Sequence, residues 1–199
     1  MLSIVIPCYN EEKCLTRLRS RLFDVCEKMP DWSFELVLVD DGSKDNTRQI
    51  IAEMAATYPE VVAVLLSRNH GQQLALSAGL SVARGERILI LDADLQDPPE
   101  LLPAMMERMD AGVDVVYGQR RQRDGETWLK KATSALFYRT INFLSDIPIP
   151  IDTGDFRLMS RRALNVLNKM PEKNRFMRGM MSWIGYRQEA FLYDRDARY

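Results

Sequence analysis

Five short, largely apolar runs, residues 2–7, 34–39, 61–66, 87–91 and 113–117, alternate with stretches whose apolar residues recur at helical spacing. That alternation constrains the fold most. Runs without a polar face read as strands buried on both sides. A strand joined to the next through a helix crosses over and lies parallel to it. The expected class is therefore α/β, a mostly parallel sheet flanked by helices on both faces. Leu15, Leu18, Leu22 and Val25 share one face of a helix expected to start from an N-cap at Asn10 and to end near Met29 and Pro30. Ile50, Ile51, Met54 and Tyr58 mark a second helix, residues 72–83 a third and residues 100–109 a fourth. Small residues, Ala75, Ala78 and Gly79, let the third lie close to the sheet.

On such sheets ligands bind beyond the carboxyl ends of the strands. Four loops stand there, carrying Asn10 and Glu11, Asp40 and Asp41, Asn69 and Gly71, and Asp92 and Asp94. The last is the most demanding. Residues 88–91 run directly into Asp92-Ala93-Asp94, followed by Gln96-Asp97-Pro98-Pro99. Carboxylates beside a low-dielectric core must be paired, hydrogen-bonded or metal-bound. Asp92 and Asp94 can turn toward one hard cation, Mg²⁺ or Mn²⁺. Mg²⁺ takes one or two carboxylates together with substrate phosphates. A turn leading into a helix uses the same residues, so this stretch by itself leaves both readings open. No G-x-G-x-x-G follows the first strand and no G-x-x-x-x-G-K-[ST] occurs, which argues against an NAD-type dehydrogenase and a P-loop NTPase. A net charge of -1 provides no global field for nucleic acid. His70, the only histidine, reads as a polar loop contact on the ligand side. Cys8, Cys14 and Cys26 lack metal-ligand spacing and read as core or surface thiols of a reducing compartment.

After Gly118 the character changes. Arg120, Arg121, Arg123, Lys130, Lys131 and Arg139 face only Asp124 and Glu126 in a nearly neutral chain. Residues 128–144 have Leu129, Leu136, Phe137, Ile141 and Leu144 at helical spacing. Such a basic, amphipathic stretch suits a membrane surface, a solvated helix docked on the core, or a second protomer in a homo-oligomer. Alternate prolines make residues 147–151 extended. A short strand over 156–159, helices over 161–170 and 176–184, and a last strand over 187–193 complete the expected elements. No secretory leader precedes the first strand, and no apolar run approaches the roughly 20 residues that span a bilayer. The whole is expected to form one domain in two halves, 1–118 and 119–199. Its charged ending reads as a point inside a longer chain.

Pro7-x-Tyr9-Asn10-Glu11-Glu12, Asp40-Asp41-Gly42-Ser43-x-Asp45, Asp92-x-Asp94-x-Gln96-Asp97-Pro98 and Gly154-Asp155-Phe156-Arg157 occur in this order along nearly the whole chain. In this the sequence resembles family 2 inverting glycosyltransferases of the GT-A fold, most closely those acting on polyprenyl (undecaprenyl or dolichyl) phosphate. The resemblance implies a nucleotide-sugar pocket built from Pro7, Tyr9, Asn10, Glu11, Asp40, Asp41, Asn69, Gly71, Asp92 and Ala93. It implies a metal on Asp92 and Asp94 with Gln96 near, and catalytic roles for Asp94 and Asp155. Arg120, Lys130, Lys131 and Ser134 would face the acceptor phosphate. A UDP-sugar is favoured over a GDP-sugar by likeness to bacterial members. In longer members the pattern near Arg195 and Arg198 continues into a Gly-x-Ser-Lys segment, often with transmembrane helices after it. The expected place of work is thus the cytoplasmic face of a membrane, peripheral or anchored by such a segment. The competing expectations are a saccharide acceptor, a non-catalytic sugar-nucleotide-binding module and a nucleotidyltransferase. The last needs a glycine-rich basic loop where residues 8–12 are acidic instead.

Overall fold

Side chains of alternating sign of facing run through every central strand, and each set finds its own layer of helices. The computed structural model describes residues 1–121, 153–172 and 175–195. Seven strands, β1 (Leu2–Cys8), β2 (Phe34–Asp40), β3 (Val61–Leu65), β4 (Arg87–Ile90), β5 (Val115–Arg120), β6 (Thr153–Ser160) and β7 (Gln188–Tyr193), form one sheet in the order β3-β2-β1-β4-β6-β5-β7. All pairings are parallel except those of β6, which runs antiparallel to both β4 and β5. The helices are α1 (Leu15–Glu27), α2 (Thr47–Thr57), α3 (Gln72–Val82), α4 (Leu102–Asp110), α5 (Arg161–Lys169) and α6 (Met177–Trp183), and a 3₁₀ turn over Pro99–Leu101 leads into α4.

In β1, Ile4 and Ile6 join Leu15, Leu18 and Leu22 of α1, while Val5 joins Leu76 and Leu80 of α3. In β4, Leu89 packs with the first set and Ile88 and Ile90 with the second. Helices α1, α2 and α4 therefore cover one face, and α3, α5 and α6 the other. Each fully buried Leu or Ile contributes about 1.5–3 kcal/mol, so this two-sided burial is what holds the sheet's centre. Gly79 sets how close α3 can come. A Cβ there would lie 2.5 Å from Val5 Cγ1 and 2.7 Å from Val39 Cγ2.

The expected α/β sheet is present, with three differences. The short strand expected over 156–159 is the eight-residue β6 at the middle of the sheet, and Phe156, Leu158 and Met159 are fully buried there. β5 is shifted and runs on to Arg120 because its parallel pairing with β7 continues through Arg120 and Tyr193. Asn10 does not cap α1. Its backbone is left-handed (φ 56°), and its side chain accepts from Lys44 N–H at 2.8 Å, so α1 begins only at Leu15. The three cysteines are free and buried, and burial pushes the Cys26 thiol up to about 12. The expected extended segment 147–151 and helix 128–144 lie outside the described residues. Among the described residues, no helix is long and apolar enough to cross a membrane.

Candidate active site

Parallel β1, β2 and β4 end side by side, so the loops that follow them meet above one edge of the sheet. These loops are fastened to one another. Asn10 N–H donates to Ser43 Oγ at 3.0 Å and Glu11 N–H to Thr47 Oγ1 at 2.8 Å. The Asp41 carboxylate accepts from His70 N–H at 2.7 Å and Gly71 N–H at 2.9 Å, tying the β2 loop to the start of α3. Gly42 makes this junction possible. Its φ is 66°, and a Cβ would lie 2.4 Å from the Arg68 carbonyl carbon. Among the described residues, Asn10 and Leu95 are the non-glycine residues with positive φ, and both stand in these loops. Bulky residues adopt that conformation only where their surroundings enforce it. The buried Leu95 side chain supplies that enforcement between Asp94 and Gln96.

The loops enclose a cleft of about 330 Å³. Pro7, Tyr9 and Glu11 line it from β1 and its loop, Asp41 from the β2 loop, Asn69 and Gly71 from the β3 loop, and Asp92, Ala93 and Asp94 from the β4 loop. Asn10, Asp40, Gln96, Asp155 and Arg120 are outside this lining. Asp40 is fully buried, accepting from Ser43 N–H at 3.0 Å and from Arg48 at 3.3 Å. These contacts hold the loop, while Asp41 beside it lines the cleft. Gln96 donates its backbone N–H to Asp94 Oδ1 at 3.2 Å.

Four carboxylates gather beside the cleft. Burial first, and then the charges of Asp97, Asp155 and Asp94, push the Asp92 carboxyl up to about 7. Arg195 is an opposing cation. Its Nη2 lies 3.9 Å from Asp92 Oδ2 and 3.7 Å from Asp94 Oδ2, and its Nε donates to Asp97 Oδ1 at 3.2 Å. Tyr193 Oη donates to the same Asp97 oxygen at 2.5 Å, leaving Asp97 Oδ2 buried without a partner among the described residues. Asp155 opens β6 and is buried. It accepts from Gln72 Nε2 at 3.2 Å, Gln73 Nε2 at 3.1 Å and Arg178 Nε at 3.2 Å. Gln72 Nε2 also donates to Asp92 Oδ1 at 2.9 Å. Below them Arg157, whose buried guanidinium is lowered to about 10, donates to the backbone carbonyls of Gly154 and Asp155.

These residues fit a divalent cation that arrives with phosphate. The carboxylates of Asp92, Asp94, Asp97 and Asp155 outnumber the cations that contact them, Arg195 and Arg178, and the available oxygens are hard. No group of three or more His, Cys, Asp or Glu residues is arranged to hold a metal among the described residues. Asp92 and Asp94 therefore offer two carboxylates, the number that Mg²⁺ commonly takes when phosphates and water complete its shell. Arg120 ends β5 with its Nε buried and unpartnered among the described residues, and its guanidinium lies by Gly154 and Tyr193. Lys130, Lys131 and Ser134 lie outside the described residues.

In the sequence, Gln72, Gln73, Arg178 and Tyr193 read as ordinary helix or strand residues. The signal for the two glutamines was their place in the first turn of a helix directly after Gly71, on the ligand side. For Arg178 it was one cation in the otherwise apolar Met177–Trp183 helix.

A mostly parallel sheet with its acidic loops gathered above one edge is the GT-A architecture of glycosyltransferases, and solved structures of that class superpose on this chain. A mannosyltransferase from Pyrobaculum calidifontis, solved with GDP-Man and Mn²⁺, matches with a TM-score of 0.67 at 22% identity, over 96% of this chain and 54% of that one. Staphylococcus aureus TarS 1-349 with UDP-GlcNAc matches with a TM-score of 0.64 at 19% identity, over 100% and 59%. At such identities the likeness is one of fold. The chain belongs to glycosyl transferase family 2, whose model matches residues 3–167. An uncharacterized glycosyltransferase of Synechocystis is 45% identical over 100% of this chain and 62% of its own length. A prophage bactoprenol glucosyl transferase homolog of Escherichia coli is 39% identical over 99% and 64%. The chain thus spans about three fifths of the length of the curated relatives it matches.

Proposed function

We propose that this chain is the catalytic part of an inverting transferase that moves a sugar from a nucleotide diphosphate to a polyprenyl phosphate at the cytoplasmic face of a membrane. The observation that carries the reading is the placement of Asp155 beside Asp92, with one glutamine amide touching both. Groups suited to the departing diphosphate and to the incoming acceptor thereby share one site. The name of the Escherichia coli relative supports bactoprenol phosphate as the acceptor. Likeness to bacterial members favours a UDP-sugar over a GDP-sugar.

In this reading Tyr9, Glu11 and Asp41 hold the nucleoside end. Asp92 and Asp94 hold Mg²⁺ or Mn²⁺, with Gln96 close by. A bound divalent cation supplies charge that offsets the negative charge growing on the leaving diphosphate. An oxygen of the acceptor phosphate forms the new bond to the anomeric carbon as the bond to the diphosphate breaks on the opposite face. Holding the two in line accounts for much of the barrier reduction. A phosphate monoester has its second pKa at about 6, so at neutral pH the attacking oxygen needs no base. Asp155 fits that chemistry as an orienting carboxylate, since Gln72, Gln73 and Arg178 already occupy its oxygens. Arg120 supplies a guanidinium for the acceptor phosphate.

Calorimetric titration of UDP and GDP, with and without Mg²⁺ or Mn²⁺, tests the donor site. One nucleotide is expected to bind only with metal. Asp94→Ala should weaken that binding by about 100-fold, within the cost of removing one partner of a buried charge contact. Metal-independent binding, or unchanged affinity in Asp94→Ala, would remove Asp94 from this role. Turnover of a saccharide lacking phosphate in place of the lipid phosphate would overturn the acceptor assignment.

A further inference from the structure

Gln72 and Gln73 open α3, directly behind the loop that Asp41 holds through His70 and Gly71. Successive residues on a helix point about 100° apart, and these two straddle Asp155 Oδ2 at 3.2 and 3.1 Å. Their second contacts differ. Gln73 Oε1 accepts from Met177 N–H at 3.0 Å, binding α3 to α6. Gln72 Nε2 reaches across the cleft edge to Asp92 Oδ1 at 2.9 Å. An ionised carboxylate accepts only, so with Asp92 and Asp155 both ionised the Gln72 amide presents its NH₂ to both, one proton to each. That single nitrogen fixes the spacing of two carboxylates that lie 63 positions apart in sequence and would repel one another.

The neutrality of the group matters. Arg195 also touches this cluster, but as a cation, at Asp94 and at the Asp92 oxygen that Gln72 does not bond. A cation in place of Gln72 would pair with Asp92 and oppose any divalent ion held there. A carboxylate would add to an existing excess of negative charge. An amide joins Asp92 to Asp155 and leaves the charge of both available.

We propose that Gln72 is a positioning residue that holds the donor-side carboxylate Asp92 in register with the acceptor-side carboxylate Asp155. This rests on the transferase reading given above. Gln72 acts through the two carboxylates, and its loss shows in the rate of transfer at saturating substrates rather than in nucleotide affinity.

Gln72→Met keeps length and bulk and removes both donations. With the nucleotide sugar and vesicles containing a polyprenyl phosphate, kcat is expected to fall about 10- to 100-fold, the scale of a misplacement near 1 Å. Metal-dependent nucleotide affinity, by calorimetry, should stay within about threefold, since Asp92 and Asp94 remain. In an Asp155→Asn background the same change should cost less than about threefold, because the partner it acts on is altered. Equal costs in both backgrounds, or a kcat within about threefold of wild type, overturn the proposal. Gln72→Lys preserves reach and donation but adds charge. It should weaken Mn²⁺ binding, followed by electron paramagnetic resonance with nucleotide present, by about tenfold or more, and this arm decides if Gln72→Met does not fold. Unchanged Mn²⁺ binding in Gln72→Lys overturns the proposal as well. A wild-type chain that binds no nucleotide with metal fails the transferase reading and takes this role with it. Wild-type transfer that survives intact in Gln72→Met fails the role of Gln72 alone.

Discussion

Arg120 shows how one residue's environment limits what it can do. Its Nε is buried and unpartnered among the described residues, an arrangement that costs about 1–3 kcal/mol, more when charged, unless a ligand supplies an acceptor. Its guanidinium lies beside the start of β6, with Gly154 next to it, and hydrogen-bonds Tyr193. Under the function proposed above, that acceptor is a phosphate oxygen of the lipid. Arg120→Ala is expected to raise the KM of the lipid phosphate by about 10- to 100-fold, in the range of a lost hydrogen bond to a charged group, and to leave the KM of the nucleotide sugar within about threefold. Steady-state kinetics varying one substrate at a time makes the comparison. Equal rises in both constants would move Arg120 out of acceptor binding.

At the scale of elements, α3 carries both the packing and the site. Gly79 lets it seat on Val5 and Val39, and its first turn then projects Gln72 and Gln73 over the sheet edge. Gly79→Ala should destabilise the protein by about 2 kcal/mol through overpacking, lowering the thermal midpoint by about 4–8 °C. Scanning calorimetry would read this, and an unchanged midpoint would show that α3 can lift without loss. The closeness of this helix was legible in Ala75, Ala78 and Gly79, as were the strands, because apolar periodicity follows directly from burial on both faces. The acidic loops were legible too, since charges at the end of a buried run have few other uses. The central place of β6 was not. Strand order is settled by long-range pairing, and Phe156 to Met159 have no local feature that says which neighbours they meet. Nor was the turn of Asp40 under its loop, for two adjacent aspartates look alike until Arg48 and the α3 start select between them. Asn10 misled for a related reason. An asparagine that suits a helix cap equally suits a left-handed bridge to another loop.

For the molecule as a whole, the acidic cluster links stability to pH. In the chain without metal, the Asp92 carboxyl stands at about 7 in place of 3.8. The folded state thus keeps a proton that the unfolded chain has released above about pH 4. The associated stability is full below that value and is lost as pH rises through 7, at up to about 1.4 kcal/mol per pH unit. Urea unfolding in chelator should show a higher midpoint at pH 5 than at pH 8, and Asp92→Asn should shrink the difference. The same difference in both proteins would assign it to another group. Antiparallel β6 has a different bearing on the molecule. Because β5 ends and β6 begins at the same end of the sheet, Gln119 pairs with Thr153 there. β6 is therefore paired at its first residue as well as along its length, with β5 on one side and β4 on the other. Asp155 thus stands on a strand fastened from both sides, two residues from the closing pair, and its carboxylate takes its place from the sheet itself.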